Sequence, residues 1–500
     1  MVPEVDRRGL PSWVAGAAGV CFFILWLLQV VVVSDADSPR FTTLVLPSAL
    51  LSNLDSLGYL AMTPVQAAAL PAILDKRDVI AQAKTGSGKT AAFGLGLLAA
   101  LNPESFAVQG LVLCPTRELA DQVAEEIRRL ARAMPNVKVL TLCGGAPFGP
   151  QLGSLEHGAH IVVGTPGRVE EHLRKGSLDL SRLTMLVLDE ADRMLDMGFQ
   201  ASLEAIIGQT PASRQTLMFS ATFPEDEQKG SIRAIAAGLM RDPLRVKVEE
   251  THDSTTIRQH FYLIESEAAR FAALRQVLLH YRPVSTVVFC NTKRETQEVA
   301  DALNEAGFSA LALHGDLEQR DRDRTLVLFS NQSASILVAT DVAARGLDIA
   351  ELDAVINYQI ARDLEVHVHR VGRTGRAGAS GVACTLVSEK EDYRLGLLGT
   401  FLEQRLTCEP LPPVKNREPF FPPMATLQLD GGKKDKLRPG DILGALTGEQ
   451  GIRGDQVGRI KVLQRSAFVA VKQDAVNAAL NKLAQDKLKG RSFRVRRVSR

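Results

Sequence analysis

The sequence is poor in the residues that build cross-linked or metal-bound scaffolds. Its six cysteines are scattered over 500 residues without a C-x-x-C pair. This suggests neither a disulfide framework nor a zinc site, and it favours a reducing compartment. Hydrophobic residues make up 45% of the chain and charged residues 23%. The composition excludes disordered, collagen-like and coiled-coil classes, and at about 100 to 200 residues per domain the length predicts several globular domains.

Net charge is also nearly absent, because 59 Lys and Arg face 57 Asp and Glu, a formal +2. The sum hides a division along the chain. Residues 425–500 hold 17 basic and 7 acidic residues, a net +10, whereas the preceding 424 residues hold 42 and 50, a net −8. A compact domain this basic on an acidic carrier predicts a phosphate-rich partner such as nucleic acid.

From Phe41 onward, short apolar runs alternate with segments of helical periodicity such as Glu118–Ala131. The runs suit buried parallel strands, and the alternation indicates repeated β-α-β units. We therefore predict an α/β fold with two tandem domains, each with a doubly wound parallel sheet, joined near 242–256. The predicted strands are 78–81, 110–113, 138–142, 160–163 and 185–188 in the first domain and 286–290, 309–313, 336–339, 354–358 and 381–386 in the second.

A third, smaller domain is predicted at the C-terminal end. Six prolines between Pro410 and Pro423 read as a semi-rigid spacer, since proline cannot continue a helix. The elements after the spacer follow the β-α-β-β-α-β order of a ferredoxin-like, RRM-like α+β plait. The predicted regions are a leader at 1–40, sheet domains at 41–245 and 246–406, the spacer at 407–424 and the basic domain at 425–500.

A phosphate-binding loop follows the first predicted strand. Residues 83–90, AKTGSGKT, lie between strand 78–81 and a helical segment, which is the context that a P-loop requires, although Ala83 replaces the usual first glycine. Lys89 is expected to reach the β- and γ-phosphate oxygens, and Thr90 to bind Mg²⁺. The predicted nucleotide-binding residues are Ala83, Lys84, Thr85, Gly86, Ser87, Gly88, Lys89 and Thr90.

Two further motifs complete a nucleotide site. Asp189 and Glu190 end an apolar strand about 100 residues after the P-loop, where a carboxylate at the sheet edge would face the phosphates. We predict that Asp189 contacts Mg²⁺ and that Glu190 orients and deprotonates the attacking water. In the second domain, HRVGRTGR at 369–376 spaces arginines by three, and we predict that they lie on one helical face and clamp γ-phosphate oxygens.

Taken together, the motifs resemble the DEAD-box RNA helicase family from about 41 to 406, and this resemblance implies that both sheet domains are RecA-like. Stretches at 63–70 (TPVQAAAL), 314–324 (HGDLEQRDRDR) and 430–448 (DGGKKDKLRPGDILGALTG) resemble the DbpA type of that family. The family motifs in chain order are GYLAMTPVQ at 58–66, PTRELA at 115–120, GG at 144–145, TPGR at 165–168, DEAD at 189–192, SAT at 220–222, QRDR at 319–322, ATDVAARGLD at 339–348 and HRVGRTGR at 369–376.

The resemblance implies a role for individual residues around ATP and Mg²⁺. Phe41 would lie against the adenine ring, Gln66 at its edge and Asp348 near the ribose. The implied catalytic residues are Lys89, Glu190, Arg373 and Arg376, with Ser220 and Thr222 coupling hydrolysis to RNA. The implied contacts to the RNA sugar-phosphate backbone are Arg117, Gly145, Thr165, Arg168, Gln319, Arg322 and Thr340.

For the third domain, the resemblance implies an RNA-binding module that targets a 23S rRNA hairpin in pre-50S ribosomal particles. An ordinary RRM stacks bases on aromatic residues of its two central strands. Here those strands carry only Phe468, so the sheet is a poor stacking platform. We expect RNA recognition through the loop residues Lys433, Lys434, Lys436 and Arg438 and through the strand or tail arginines, with Phe468 as the one aromatic contact.

The predicted function is that of a monomeric, ATP-dependent RNA helicase that unwinds short duplexes while its third domain tethers it to 23S rRNA. An ATP-gated RNA clamp or scaffold with little unwinding is one alternative. A general RNA-decay or cold-shock helicase is another, although the stretch at 430–441 (DGGKKDKLRPGD) argues against it.

The leader contains the one long uncharged run, 21 residues from Trp13 to Val33. A helix of that length would span the roughly 30 Å core of a bilayer. A transmembrane helix or an extension from a misplaced start is favoured over a cleaved signal peptide, because the downstream motifs need ATP and cytosolic RNA. We expect a cytoplasmic protein, with anchoring at the cytoplasmic face through residues 13–33 as the alternative.

Overall fold

The computed structural model describes residues 30–33, 39–83, 86–220, 232–248, 257–344, 352–375 and 381–498. The chain divides into two compact units, 1–251 and 252–500. The junction predicted at 242–256 needs correction, because Leu244–Val248 forms a strand of the first unit. The segment Leu244–Val248 has only five alternating apolar and basic residues, which is too short a pattern to distinguish a strand from a polar connection.

The first unit is built on a parallel sheet whose described strands lie in the order β1-β8-β2-β7-β6-β3-β5-β4. Its central strands are apolar on both faces because helices cover both sides. Leu111 and Val112, for example, are fully buried in separate clusters on opposite faces of the sheet. The strands are β1 Val30–Val33, β2 Val79–Gln82, β3 Gly110–Leu113, β4 Val139–Leu142, β5 Ile161–Gly164, β6 Met185–Asp189, β7 Gln215–Ser220 and β8 Leu244–Val248.

The helices of this unit cover the sheet through one apolar face each. In the helix Arg117–Leu130, Ala120, Val123, Ala124 and Ile127 are buried at helical spacing, and the Thr116 hydroxyl caps its first turn by accepting from Leu119 N–H. The helices are α1 Ser48–Ser56, α2 Pro64–Leu74, α3 Lys89–Ala100, α4 Arg117–Leu130, α5 Phe148–Glu156, α6 Pro166–Arg174, α7 Ala191–Asp196, α8 Gln200–Ile207 and α9 Ile232–Leu239.

The leader contributes the edge strand of this sheet. Val30–Val33 pairs in parallel with β8, with Val30 opposite Arg245 and Val33 opposite Val248. The prediction of one helix over 13–33 is therefore wrong for these last residues, because β-branched valines favour an extended strand. The rest of the run, 13–29, lies outside the described residues, and no helix within the described ranges is long and apolar enough to cross a membrane.

The second unit contains a second parallel sheet, in the order β11-β12-β10-β13-β14-β9. Sequence analysis missed β9, whose partly exposed residues mark an edge strand. The strands are β9 Ile257–Ile264, β10 Thr286–Cys290, β11 Ala310–Leu313, β12 Ile336–Thr340, β13 Ala354–Asn357 and β14 Gly381–Ser388. The helices are α10 Arg270–Tyr281, α11 Lys293–Glu305, α12 Gln319–Ser330, α13 Asp341–Ala344, α14 Leu364–Val371 and α15 Asp392–Phe401.

The C-terminal part of this unit is an antiparallel sheet in the order β16-β17-β15-β18, packed against two helices. The order confirms the predicted plait. Leu427, Val469 and Val471 are fully buried on the helix-facing side. The elements are β15 Met424–Leu429, α16 Pro439–Thr447, β16 Val457–Val462, β17 Ala467–Lys472, α17 Val476–Gln485 and β18 Val495–Arg497.

The proline-rich spacer lies along the second sheet domain. The backbone oxygens of Pro412 and Pro413 accept from Gln276 and His280 of α10, at 3.0 and 2.8 Å. Phe420 packs edge-on against Phe308, with ring centroids 5.6 Å apart. At the end of the spacer, Thr426 Oγ1 of β15 accepts from Asn331 Nδ2 at 3.1 Å and lies 2.7 Å from Ser333 Oγ. These contacts attach the plait to the second sheet domain.

Candidate functional site

The P-loop lies between β2 and α3, as the sequence predicts. Gly88 has φ of +92°, and a Cβ there would come within 2.4 Å of Gln66 Nε2, so only glycine fits this turn. Lys89 begins α3, is 6% exposed, and donates from Nζ to Ala83 O at 2.7 Å. Lys84 and Thr85 lie outside the described residues.

Gln66 braces this loop from α2. Its side chain is 1% exposed, its Oε1 accepts from Thr63 N–H at 2.9 Å, and its Nε2 donates to Gly88 O at 3.1 Å. The Q motif is thus joined directly to the phosphate loop. Phe41 is 3% exposed and packs edge-on against Tyr59, with ring centroids 6.3 Å apart. The roles of Gln66 and Phe41 toward adenine remain predictions.

Asp189 is the last residue of β6, and it is well suited to a divalent cation. It is 3% exposed, and its Oδ1 has no hydrogen-bond partner within the described residues. Burial raises the pKa of its carboxyl to about 7, although the nearby Lys89 charge opposes that shift. An orphaned buried carboxylate oxygen beside a phosphate loop fits Mg²⁺, with the Thr90 hydroxyl as the second predicted ligand.

Glu190 follows β6 in a strained backbone conformation. Its φ is +54° and its side chain is nearly fully buried. Arg193 of α7, which sequence analysis missed, donates from Nη1 to Glu190 Oε2 at 2.8 Å. The left-handed conformation places Glu190 directly before α7, and the hydrogen bond from the buried Arg193 fixes the orientation of the carboxylate.

Ser220 connects the SAT motif to the phosphate loop through its backbone. It is the last residue of β7, is 1% exposed, and its carbonyl accepts from Ala83 N–H at 3.0 Å. A displacement of β7 would therefore reach the P-loop directly. Thr222 lies outside the described residues.

Four of the predicted RNA contacts lie together after the carboxyl ends of β3, β4 and β5. Gly145 has φ of +72°, and a Cβ on it would overlap the Arg117 guanidinium. Arg168 of α6 donates to Ala146 O at 3.0 Å, one residue beyond Gly145. Thr165 caps the start of α6, and its N–H donates to Leu142 O at 3.1 Å. The arrangement gathers backbone and guanidinium donors that suit phosphate.

In the second unit, Arg370 and Arg373 of HRVGRTGR do not share a helical face. Helix α14 ends at Val371, so Arg373 lies in the following turn, 7% exposed. Arg370 instead forms a buried ion pair with Asp341, at 2.6 and 2.8 Å, and donates to Asn291 Oδ1. The helical-face prediction is wrong because this motif breaks the helix to form a turn. Arg376 and Asp348 lie outside the described residues.

Other predicted RNA contacts of this unit lie at element ends. Gln319 is the first residue of α12 and donates to Asp323 Oδ1 at 2.9 Å, while Arg322 lies one turn further along. Thr340 is the last residue of β12, and its hydroxyl accepts from Ala343 N–H at 3.4 Å. Carboxyl ends of parallel strands and helix starts are where ligands bind in such sheets.

In the plait, the predicted loop is exposed whereas the predicted aromatic is not. Lys433, Lys434, Lys436 and Arg438 are all exposed after β15. Phe468 of β17 is only 7% exposed, so its ring offers no open platform for a base. The sheet is thus a poor stacking surface, as predicted, and the loop remains the predicted RNA contact.

His367 gives the second unit a built-in acid sensitivity. It lies in α14, is 1% exposed, stacks on Phe261, and neither ring nitrogen has a partner within the described residues. Burial, with the Arg370 charge, lowers its pKa to about 4. In the unfolded chain, a histidine has a pKa near 6.5. Between pH 6.5 and pH 4 the unfolded state therefore binds a proton that the folded state does not, and the free energy of unfolding falls by about 3 kcal/mol.

We therefore expect His367→Phe to flatten the pH dependence of unfolding. Urea denaturation at pH 7, 5.5 and 4 measures it, with fluorescence or circular dichroism as the signal. Between pH 7 and pH 4, the free energy of unfolding should fall by about 3 kcal/mol more in the wild-type protein than in the variant. Equal losses in the two proteins would contradict the assignment to His367.

Two parallel-sheet domains, with a P-loop and an acid pair in the first, define the chain as a P-loop ATPase with two RecA-like domains. Family models match 63–229 (DEAD/DEAH box helicase), 269–378 (helicase conserved C-terminal domain) and 426–497 (DbpA RNA binding domain). The chain belongs to the DEAD-box ATP-dependent RNA helicases of the DbpA type.

Individual relatives agree with this membership. The chain is 55% identical over 457 residues to the ATP-dependent RNA helicase DbpA of Escherichia coli, covering 91% of this chain and 99% of that protein. It is 34% identical to the ATP-dependent RNA helicase DbpA of Bacillus subtilis, over 90% of this chain and 98% of that protein. Among solved structures, S. cerevisiae Dbp5 bound to RNA and ADP BeF3 is similar at 29% identity with a TM-score of 0.66, covering 75% of this chain and 96% of that one.

Proposed function

We propose that this helicase is directed by its plait to a hairpin of 23S rRNA, and that it unwinds short neighbouring duplexes during assembly of the large ribosomal subunit. The observation that carries the proposal is the match of 426–497 to the DbpA RNA binding domain. The net charge of +10 over 425–500 supplies the attraction to phosphate. The expected setting is the cytoplasm, with the protein acting as a monomer.

In the proposed reaction, ATP binds at the P-loop. Lys89 contacts the β- and γ-phosphate oxygens, and Asp189 and Thr90 would hold Mg²⁺, which would neutralise charge on the phosphates. Glu190, oriented by Arg193, takes a proton from the attacking water. Arg373 and Arg376 stabilise the charge on the transferred phosphoryl group. Ser220 transmits the change to β7 through its bond to Ala83.

The attachment of the plait to the second sheet domain supports local unwinding. A hairpin held by the plait would stay near the core, so a neighbouring duplex would meet the helicase as an intramolecular partner at high effective concentration. Closure of the core on one strand would then separate a short helix. The bond from Gln276 to Pro412 and the bond from Asn331 to Thr426 hold the spacer and the plait against the second sheet domain. They would therefore restrict the distance between a bound hairpin and that domain.

The test is strand displacement on a short RNA duplex, with and without an adjoining 23S rRNA hairpin. We expect ATP-dependent displacement that is at least about tenfold faster with the hairpin, the gain that effective concentration commonly provides. Equal rates on both substrates would favour the general RNA-decay or cold-shock helicase. Hydrolysis without displacement on either substrate would favour the ATP-gated clamp.

A further inference from the structure

A buried glutamine connects two of the predicted RNA-contacting segments of the first unit. Gln151 lies on α5 and is 8% exposed. Its Nε2 donates to Cys143 O at 3.0 Å, directly before Gly144 and Gly145. Its Oε1 accepts from Arg168 Nη1 at 2.7 Å. One amide therefore joins the glycine loop after β4 to the arginine of TPGR.

The orientation of this amide follows from its partners. Arg168 carries only donors, and the Cys143 carbonyl only accepts, so Oε1 must face the arginine and Nε2 the carbonyl. His172 Nε2 lies 3.1 Å from the same Oε1, and the two acceptor positions of that oxygen are thus both used. Burial, with the nearby Arg168 charge, lowers the pKa of His172, which favours the neutral ring. Because Oε1 can only accept, this contact requires the proton on Nε2.

The amide also determines where the Arg168 guanidinium can lie. That side chain is held from three sides, by Gln151, by Ala146 O at 3.0 Å and by Glu171 at 3.0 Å. On the other side of the loop, Arg117 packs against Gly145, where no Cβ fits. Gln151 therefore adds a buried link between this loop and Arg168, beside the direct bond from Arg168 to Ala146 O.

We propose that Gln151 is a positioning residue for RNA, which sets the spacing between the Gly145 loop and the Arg168 guanidinium so that both meet successive phosphates of one strand. The proposal rests on the proposed function, in which Arg117, Gly145 and Arg168 contact the RNA backbone. A group that donates and accepts at once is required here. Glutamate would place a carboxylate against the Cys143 carbonyl, and leucine would leave the Arg168 guanidinium and the carbonyl without this partner.

The test compares Gln151→Leu and Gln151→Glu in the full chain by RNA-stimulated ATPase, with oligouridylate RNA as the probe. We expect the half-saturating RNA concentration to rise about tenfold or more in both variants, equivalent to about 1.4 kcal/mol. The rate at saturating RNA should stay within about twofold of wild type, since the nucleotide site is intact. A merely structural role would lower thermal stability and active fraction without this split.

Gln109 offers a matched control. It is also a buried glutamine, 7% exposed, whose Nε2 donates to the carbonyls of Asn102 and Ser105, but it precedes β3 at the opposite end of the strands. We expect Gln109→Leu to lower stability and to leave the half-saturating RNA concentration unchanged. An equal rise in the Gln109 and Gln151 variants would overturn the proposal.

Arg168→Ala separates this proposal from the one on which it rests. If Arg168→Ala leaves the RNA dependence unchanged, the assignment of TPGR to RNA fails. If Arg168→Ala raises the half-saturating concentration and Gln151→Leu does not, only the positioning role fails. If both raise it, the double variant should match Arg168→Ala alone, because Gln151 acts through that arginine; additive effects would contradict this coupling.

Discussion

Glu190→Gln is expected to lower the rate of ATP hydrolysis by about 100-fold or more, the usual contribution of a general base. The amide keeps the size of the side chain and can still accept the hydrogen bond from Arg193 Nη1, which is 2.8 Å from Glu190 Oε2. The left-handed backbone at 190 should also persist. What is lost is the ability to take a proton from water.

Single-turnover ATPase and RNA binding, measured together, check this expectation. ATP-dependent RNA binding should be retained, since the P-loop and the RNA-contacting loops are unchanged. Glu391→Gln is the matched control, because Glu391 is a largely buried carboxylate that pairs with Arg270 at 2.6 Å and belongs to none of the nucleotide motifs. Wild-type turnover in Glu190→Gln would remove Glu190 from the catalytic assignment.

Replacing Lys433, Lys434, Lys436 and Arg438 together by alanine is expected to flatten the salt dependence of binding to the rRNA hairpin. Each phosphate contact contributes about 0.7 to 0.9 to the log-log slope, so four contacts would remove about 3. The loop should keep its fold, because the backbone N–H groups of Lys433 and Lys434 donate to Leu463 O and Gln464 O. The backbone at Gly432 lies so close to residue 463 that a Cβ would come within 2.3 Å of Leu463 O. This close approach allows the hydrogen bonds from Lys433 and Lys434.

Fluorescence anisotropy over a range of salt concentrations gives the slope. A second variant with alanine at Arg453, Arg459, Lys461 and Lys472 removes the same charge from the region of β16 and β17. If only long-range attraction matters, both variants should flatten the slope equally. A much larger effect of the loop variant would support direct contact, and an unchanged slope in it would rule the loop out.

Local chemistry made the nucleotide site predictable from sequence. The P-loop needs glycine where φ is positive, a lysine at a helix start and a threonine beside it, so its residues must be adjacent in the chain. Asp189 and Glu190 were found for the same reason, because they end one apolar strand. Arg193 was not found, because its role depends on the left-handed turn at 190, which its sequence position does not reveal.

Strands whose sequences mix polar and apolar residues were the least predictable part of the fold. Buried central strands such as β3 are continuous apolar runs, whereas β8 and β9 mix apolar and exposed residues. This weaker pattern is why β8, which lies between β1 and β2, was interpreted as a connection. The valine run of the leader illustrates the opposite problem, since the same residues suit a membrane helix or a strand.

By itself, the sequence determined the number of sheet domains, the order of the motifs, the place of the acid pair after an apolar strand and the division between an acidic core and a basic plait. Each of these depends on residues close together in the chain or on summed composition. Only the tertiary structure showed that Arg370 pairs with Asp341, that the proline-rich spacer packs against α10, and that Gln151 bridges Cys143 and Arg168. Such contacts join residues whose partners are chosen by the packing of whole elements, and an isolated polar side chain carries no local signal of its partner.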